Sequence, residues 1–91
     1  MDKSVKQKEI NDLYELFVSI SSVEDCKDLL EDLCTYKEVE QMAERIRAAK
    51  LLMEGKTYQE VISQTDISSA TLSRISRCVQ YGNGYSRLLR K

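Results

Sequence analysis

The chain has no proline and only three glycines among its 91 residues. Proline breaks helix interiors and glycine weakens them, so their scarcity favours an all-helical globular protein over a β-rich or disordered one. Histidine is absent, and the three cysteines, Cys26, Cys34 and Cys78, form an odd and scattered set. Neither a secreted disulfide framework nor a zinc site is indicated, and a reduced cytoplasm is the expected compartment. The cysteines read most simply as small apolar residues; a redox sensor needs an exposed, electropositive thiol, and only Cys78, near Arg74 and Arg77, meets half of that condition. The pattern leads us to expect no signal peptide, no membrane-spanning segment and no polar low-complexity tail. No glycine-rich phosphate loop follows a strand and no nucleophile has an evident base, so the chain is expected not to be an enzyme and to need no cofactor or metal.

Acidic residues are missing from the last part of the chain. Residues 1–66 hold all 15 acids and nine basic residues, whereas residues 67–91 hold Arg74, Arg77, Arg87, Arg90 and Lys91. The formal charge of −1 therefore divides into −6 and +5. A basic third on an acidic body lets a protein approach a polyanion with one face and keep the others off, although a solvated surface can also cluster charge by chance.

Apolar residues recur at helical spacing along most of the chain. Val5, Ile10, Leu13, Tyr14, Phe17 and Ile20 predict a first helix from about Lys3 to Ser19. Ser22, with Asp25 three residues on, caps a short second helix whose apolar face is Val23, Cys26, Leu29, Leu30 and Leu33. Thr35 and Glu38 repeat that arrangement ahead of a long third helix carrying Val39, Met42, Ala43, Ile46, Ala49, Leu52 and Met53, which Gly55 ends as a left-handed cap. Thr57 and Glu60 open a helix of two turns, Tyr58 to Gln64. Asp66 lies in the turn that follows, at a position where positive φ is expected. Ser68 caps the next helix, and "YGNGYS" breaks it before a short terminal turn. One domain over residues 1–91 is expected, with no linker and no internal repeat. A core this small leaves the stripe on the first helix in need of a cover, so oligomerisation is expected as well.

The stretch "TYQEVISQTDISSATLSRI", Thr57 to Ile75, has the form of a helix-turn-helix spanning about residues 57–80. Val61, Ile62, Ile67, Leu72 and Ile75 would hold the two helices at a fixed angle. The opposite side of the second helix shows Ser69, Ala70, Ser73 and Arg77. Small polar side chains let a helix sink into the major groove, where hydroxyls meet base edges and an alanine methyl can touch a thymine methyl. Arg74 and Arg77 add charge for phosphates, and the helix start offers free N–H groups. Thr57 and Gln59 at the start of the first helix, with Ser68 and Thr71 at the start of the second, complete the candidate contacts to double-stranded DNA. RNA suits this geometry less, since the major groove of an A-form helix is too narrow to admit a helix easily. Tyr58, Tyr81 and Tyr85 read as packing residues.

The stretch resembles the helix-turn-helix of many bacterial repressors, with Val61, Ile67, Ser68, Thr71, Leu72, Ser73 and Arg74 in register. It departs at Ile62, where a small alanine is usual and where isoleucine should widen or rotate the helix pair, and at Asp66, where the turn glycine is usual. From "LLEDLCT" through "AERIRAAKLLMEGKTYQEV" to "SSATLSRISR", about Leu29 to Val79, the chain is similar to the Trp-repressor family, particularly its YerC/YecD-type regulators. The resemblance implies an all-α, intertwined homodimer of five or six helices per chain, two reading heads and a pseudo-palindromic operator.

In the family, two arginines hold an amino-acid ligand. Arg45 and Arg74 match them, and Thr35 and Cys78 fall at positions lining the ligand. Arginine can grip a carboxylate bidentately, so the chemistry is available. Ile75, however, stands where the tryptophan-binding members have the glycine that leaves room for the indole. Cys78 replaces a serine, Asp32 and Cys34 replace leucines of the cavity, and the turn is one residue shorter. An isoleucine in a glycine-sized gap should fill the pocket, so an effector other than tryptophan, or none, is expected. Arg45 and Arg74 are equally suited to an ion pair with Glu44 or an acid of the second helix, and Arg74 to a phosphate. The functional expectation is a sequence-specific, homodimeric DNA-binding regulator, a repressor by occlusion. The alternative is a helical module that docks another protein and binds DNA weakly or not at all.

Overall fold

The computed structural model describes residues 2–90, so Lys91 of the basic third lies outside the described residues. Six helices and no strand are found among them: α1 (Lys3–Ser19), α2 (Val23–Leu33), α3 (Tyr36–Met53), α4 (Tyr58–Gln64), α5 (Ser69–Tyr81) and α6 (Gly84–Leu88). They group into two compact units, one ending at Thr35 and the other beginning at Tyr36.

In the first unit, both helices start where side-chain caps are available. Asp2 accepts a hydrogen bond from the Ser4 N–H at 3.1 Å to open α1, and Ser22 accepts one from the Asp25 N–H at 3.0 Å to open α2. Each cap satisfies one of the N–H groups that a helix start leaves without a partner. On α2, Lys27 and Glu31 pair at 2.9 Å across one helical turn, and the carboxylate raises the lysine pKa. Cys26, Leu29 and Leu30 are half-buried, while Val23 and Leu33 are exposed. Helix α1 buries no residue: Val5, Ile10, Leu13 and Phe17 keep 40–45% of their surface exposed.

The second unit is built on α3. Gly55, with φ of +90°, closes that helix in a Schellman motif, in which Lys56 N–H donates to the Leu51 carbonyl and Gly55 N–H to the Leu52 carbonyl, at 3.1 and 3.0 Å. This is the left-handed cap that the sequence predicts. Near the end of α3, Ala48 and Ala49 are fully buried, and α5 packs mainly on this helix. Two adjacent alanines let the backbones approach closely. The core is Ala48, Ala49, Val61, Ile67, Leu72 and Ile75, and Tyr85 of α6 and Leu89, which caps that helix, pack against it. Helix α5 stops at Gly82, whose N–H donates to the Cys78 carbonyl; a Cβ there would lie 2.6 Å from that oxygen, so the stop requires glycine.

Several apolar positions differ from expectation. Ile62 is 41% exposed and outside the core, so it does not help to hold the two helices together as expected. Helix α4 is too short to bury two neighbouring β-branched residues, and Val61 takes the inward position. Tyr81 is largely exposed, because the chain breaks at Gly82 before anything covers it, whereas Tyr85 packs against the core. On α3, Met42 and Ile46 are also exposed. All three cysteines are free and half-buried. Among the described residues no helix is long and apolar enough to cross a membrane, and no group of side chains could hold a metal ion.

Candidate nucleic-acid interface

Helices α4 and α5 form the helix-turn-helix of the second unit. The start of α4 is a reciprocal capping box: Thr57 Oγ1 accepts from the Glu60 N–H at 3.2 Å, and Glu60 Oε1 accepts from the Thr57 N–H at 3.1 Å. The Thr57 backbone N–H, followed by the Thr57 side chain, holds the Glu60 carboxyl below its ordinary pKa of 4.5. A depressed folded-state value stabilises the folded chain above 4.5 and loses that contribution as pH falls through the folded value. Replacing Thr57 by alanine removes the side-chain cap of α4 and should lower stability by about 1 kcal/mol, read by chemical denaturation. Glu60→Gln should remove the local acid dependence, which unfolding of wild type and variant across the acid range would read, while carboxyl-resolved NMR of the wild type follows the lowered Glu60 titration itself.

Helix α4 ends at Thr65, whose hydroxyl donates to the Val61 carbonyl at 2.8 Å. Among the described residues no non-glycine residue has positive φ, so the expectation for Asp66 is corrected. Thr65 and Ser68 are both extended, and an extended passage between the helices needs no left-handed residue. Two side chains of α3 reach this turn: Arg47 Nη1 donates to the Gln64 carbonyl at 3.0 Å, and Glu44 Oε2 accepts from the Asp66 N–H at 3.4 Å. Neither residue was legible as a turn contact, since 17 and 22 positions separate the partners.

Ser68 caps α5 by accepting from the Thr71 N–H at 3.2 Å, and its hydroxyl donates to Thr71 Oγ1 at 3.1 Å. Thr71 is half-buried beside that cap, so the Ser68 and Thr71 hydroxyls serve the helix start first. Leu72, Ile75 and Ser76 point into the core. Ser69, Ala70, Ser73, Arg74 and Arg77 are exposed, as are Thr57 and Gln59 at the start of α4. Among the described residues neither Arg74 nor Arg77 makes an ion pair, and α5 carries no acid. The helix thus offers two free guanidinium groups and a row of small side chains on the side away from its anchor.

The four candidate effector residues are distributed differently. Arg45 is exposed and lines an open cleft of about 580 Å³ together with Lys37, Glu40, Glu44, Asp66, Ser68 and Thr71. Arg74 and Cys78 do not line that cleft, Cys78 being half-buried on α5 and Arg74 exposed. Thr35 is an exposed residue of the first unit. Among the described residues Arg45 has no ion pair, and Glu44 is engaged with the turn instead. Ile75 is 2% exposed, its side chain part of the core.

A model of the Trp repressor protein family matches residues 3–91. The chain belongs to that family. It is 38% identical over 79 residues to the Bacillus subtilis (strain 168) protein YerC, covering 87% of this chain and 76% of YerC. The solved structure of a TrpR-like protein from Eubacterium eligens ATCC 27750 superposes with a TM-score of 0.85 at 32% identity, over 97% of this chain and 92% of that one. A further solved structure, from Staphylococcus aureus, gives a TM-score of 0.84 at 28% identity, over 98% and 92%. The Trp repressor family is a regulatory, non-enzymatic one, and membership suggests a DNA-binding regulator. The all-helical architecture with six helices among the described residues is the one expected.

Proposed function

We propose that this Trp-repressor-family chain is a sequence-specific transcriptional regulator that binds double-stranded DNA as a homodimer and represses by occluding its operator. The observation that carries the reading is the division of α5. Leu72 and Ile75 anchor one side in the core, while Ser69, Ala70, Ser73 and Arg77 stand exposed on the other. A helix held this way can enter the major groove by its N-terminal part, with Arg74 free for a phosphate. The exposed apolar stripe of α1 supports self-association, and a two-fold dimer calls for a pseudo-palindromic operator with half-sites about one helical turn apart. Such a protein works in the cytoplasm, on DNA. If a small effector acts on it, Arg45 in the open cleft is the residue best placed to meet one. Tryptophan is disfavoured, because the buried Ile75 takes the position of the glycine that makes room for an indole.

Selection from a random duplex library should enrich a palindrome, and binding to it should weaken steeply with salt, with a log–log slope near −0.9 for each phosphate neutralised. Ser73→Ala and Arg77→Ala should each weaken binding to that duplex by about tenfold or more, the loss typical of a good base or phosphate contact. Lys8→Ala, in an exposed pair with Asp12 on α1, should leave it unchanged. Wild-type affinity in both α5 variants would remove α5 as the reading helix. A library without an enriched palindrome would favour a protein-docking module.

A further inference from the structure

We propose that Glu44 and Arg47 of α3 are positioning residues, which clasp the turn between α4 and α5 and thereby set the pose in which α5 meets DNA. The proposal rests on the DNA-binding reading above. The turn has no glycine and no left-handed residue to dictate its path. Its polar backbone groups must find partners elsewhere, because the last carbonyls of α4 have none within the helix. Thr65 supplies the Val61 carbonyl locally, but the Gln64 carbonyl is met by Arg47 at 3.0 Å and the Asp66 N–H by Glu44 at 3.4 Å. Glu44 and Arg47 are three residues apart, which puts them on one face of α3 one turn from each other. One donates to the turn and the other accepts from it, on either side of Thr65. Both bonds involve an ionised side chain, which makes them stronger than neutral ones.

The next two residues of α3, Ala48 and Ala49, are fully buried in the core that also holds Val61, Ile67 and Leu72. The clasp therefore springs from a stretch of α3 that is itself immobilised by packing. A recognition surface must be held to within about half an ångström to bind well, and support from outside the surface is what achieves that. Arg47 makes no ion pair among the described residues, which leaves its guanidinium to the carbonyl. The sequence departure at Asp66 and the two long-range bonds thus belong together: where many repressors use a turn glycine, this chain ties an extended turn to the helix behind it.

The test uses the full chain with Arg47→Met, Arg47→Lys, Glu44→Ala and Glu44→Gln, read by affinity for the duplex the wild type selects, by its salt slope and by amide hydrogen exchange at residues 65–67. Arg47→Met should weaken binding about tenfold with the salt slope unchanged, and should speed exchange in the turn, as expected for losing one charge-assisted bond. Arg47→Lys keeps a donor and should recover part of the loss. Glu44→Gln keeps an acceptor and should stay within about threefold of wild type, while Glu44→Ala should speed exchange at Asp66. A slope reduced by about 0.9 in Arg47→Met would make Arg47 a phosphate contact and overturn the clasp. Wild-type affinity and exchange in Arg47→Met and Glu44→Ala would overturn it too. If Arg47→Met fails to fold, the Arg47→Lys and Glu44 variants carry the same decision. If the wild type selects no duplex, the DNA reading fails by itself, and turn exchange still decides whether the clasp exists.

Discussion

Leu72→Ala is expected to destabilise the chain by about 2–5 kcal/mol, the range for emptying a fully buried leucine site. Leu72 is 0% exposed and, with Val61, is the largest side chain wholly enclosed in the second unit. The neighbours cannot collapse into the gap easily, since the methyl groups of Ala48 and Ala49 have no torsion by which to extend and Val61 is stiff at χ1. A small domain has only about 5–15 kcal/mol in total, and each kcal/mol moves Tm by about 4–8 °C at this size, so a fall of at least about 8 °C is expected. Leu72 also sits behind the exposed row of α5, so its loss should loosen the proposed reading face along with the fold. Ile62→Ala, at a half-exposed site on α4, should cost about 1 kcal/mol or less. Melting curves at one fixed protomer concentration compare the two, because association makes Tm depend on concentration. Equal melting of the two variants would mean that the core is not where the burial places it.

Leu13→Glu combined with Phe17→Glu on α1 is expected to abolish self-association at micromolar concentration. Val5, Ile10, Leu13 and Phe17 lie on one stripe, and α1 buries none of them. Fully burying a leucine or phenylalanine contributes about 1.5–3 kcal/mol, and a two-fold interface counts each position twice. Glutamates at those positions replace that gain with charges that have to be desolvated, so the dimer constant should weaken by more than about a thousandfold. Sedimentation equilibrium would measure it. Glu9→Ala on the same helix serves as the control and should leave the mass unchanged. The doubly substituted chain should also lose most of its affinity for a palindrome while keeping that for a half-site, since the two reading heads no longer act together. A chain that is monomeric at every concentration before mutation would end the homodimer proposal.

How much was legible in the sequence depends on the range over which each feature is decided. Ser22, Thr57 and Ser68 act within three residues of themselves, and the hydrogen bonds of each cap form as their spacing predicts. Gly55 could be read for the same reason, as could the helical period that places Leu72 and Ile75 opposite Ser69 and Ser73. Ile62 and Tyr81 lie outside the core because hydrophobicity states only a preference for burial, and burial depends on which neighbour arrives. Asp66 stays out of the left-handed region because its side chain type permits positive φ without requiring it.

The helices, the caps at Ser22, Thr57 and Ser68, the charge division and the residues that α5 shows on each side were all legible along the chain, since they follow from local hydrogen bonding and a period of 3.6 residues. That α3 is the platform, that Ala48 is buried, and that Glu44 and Arg47 hold the turn came from packing. Such contacts join residues 17 and 22 positions apart, and no local propensity encodes which distant backbone group a charged side chain will meet.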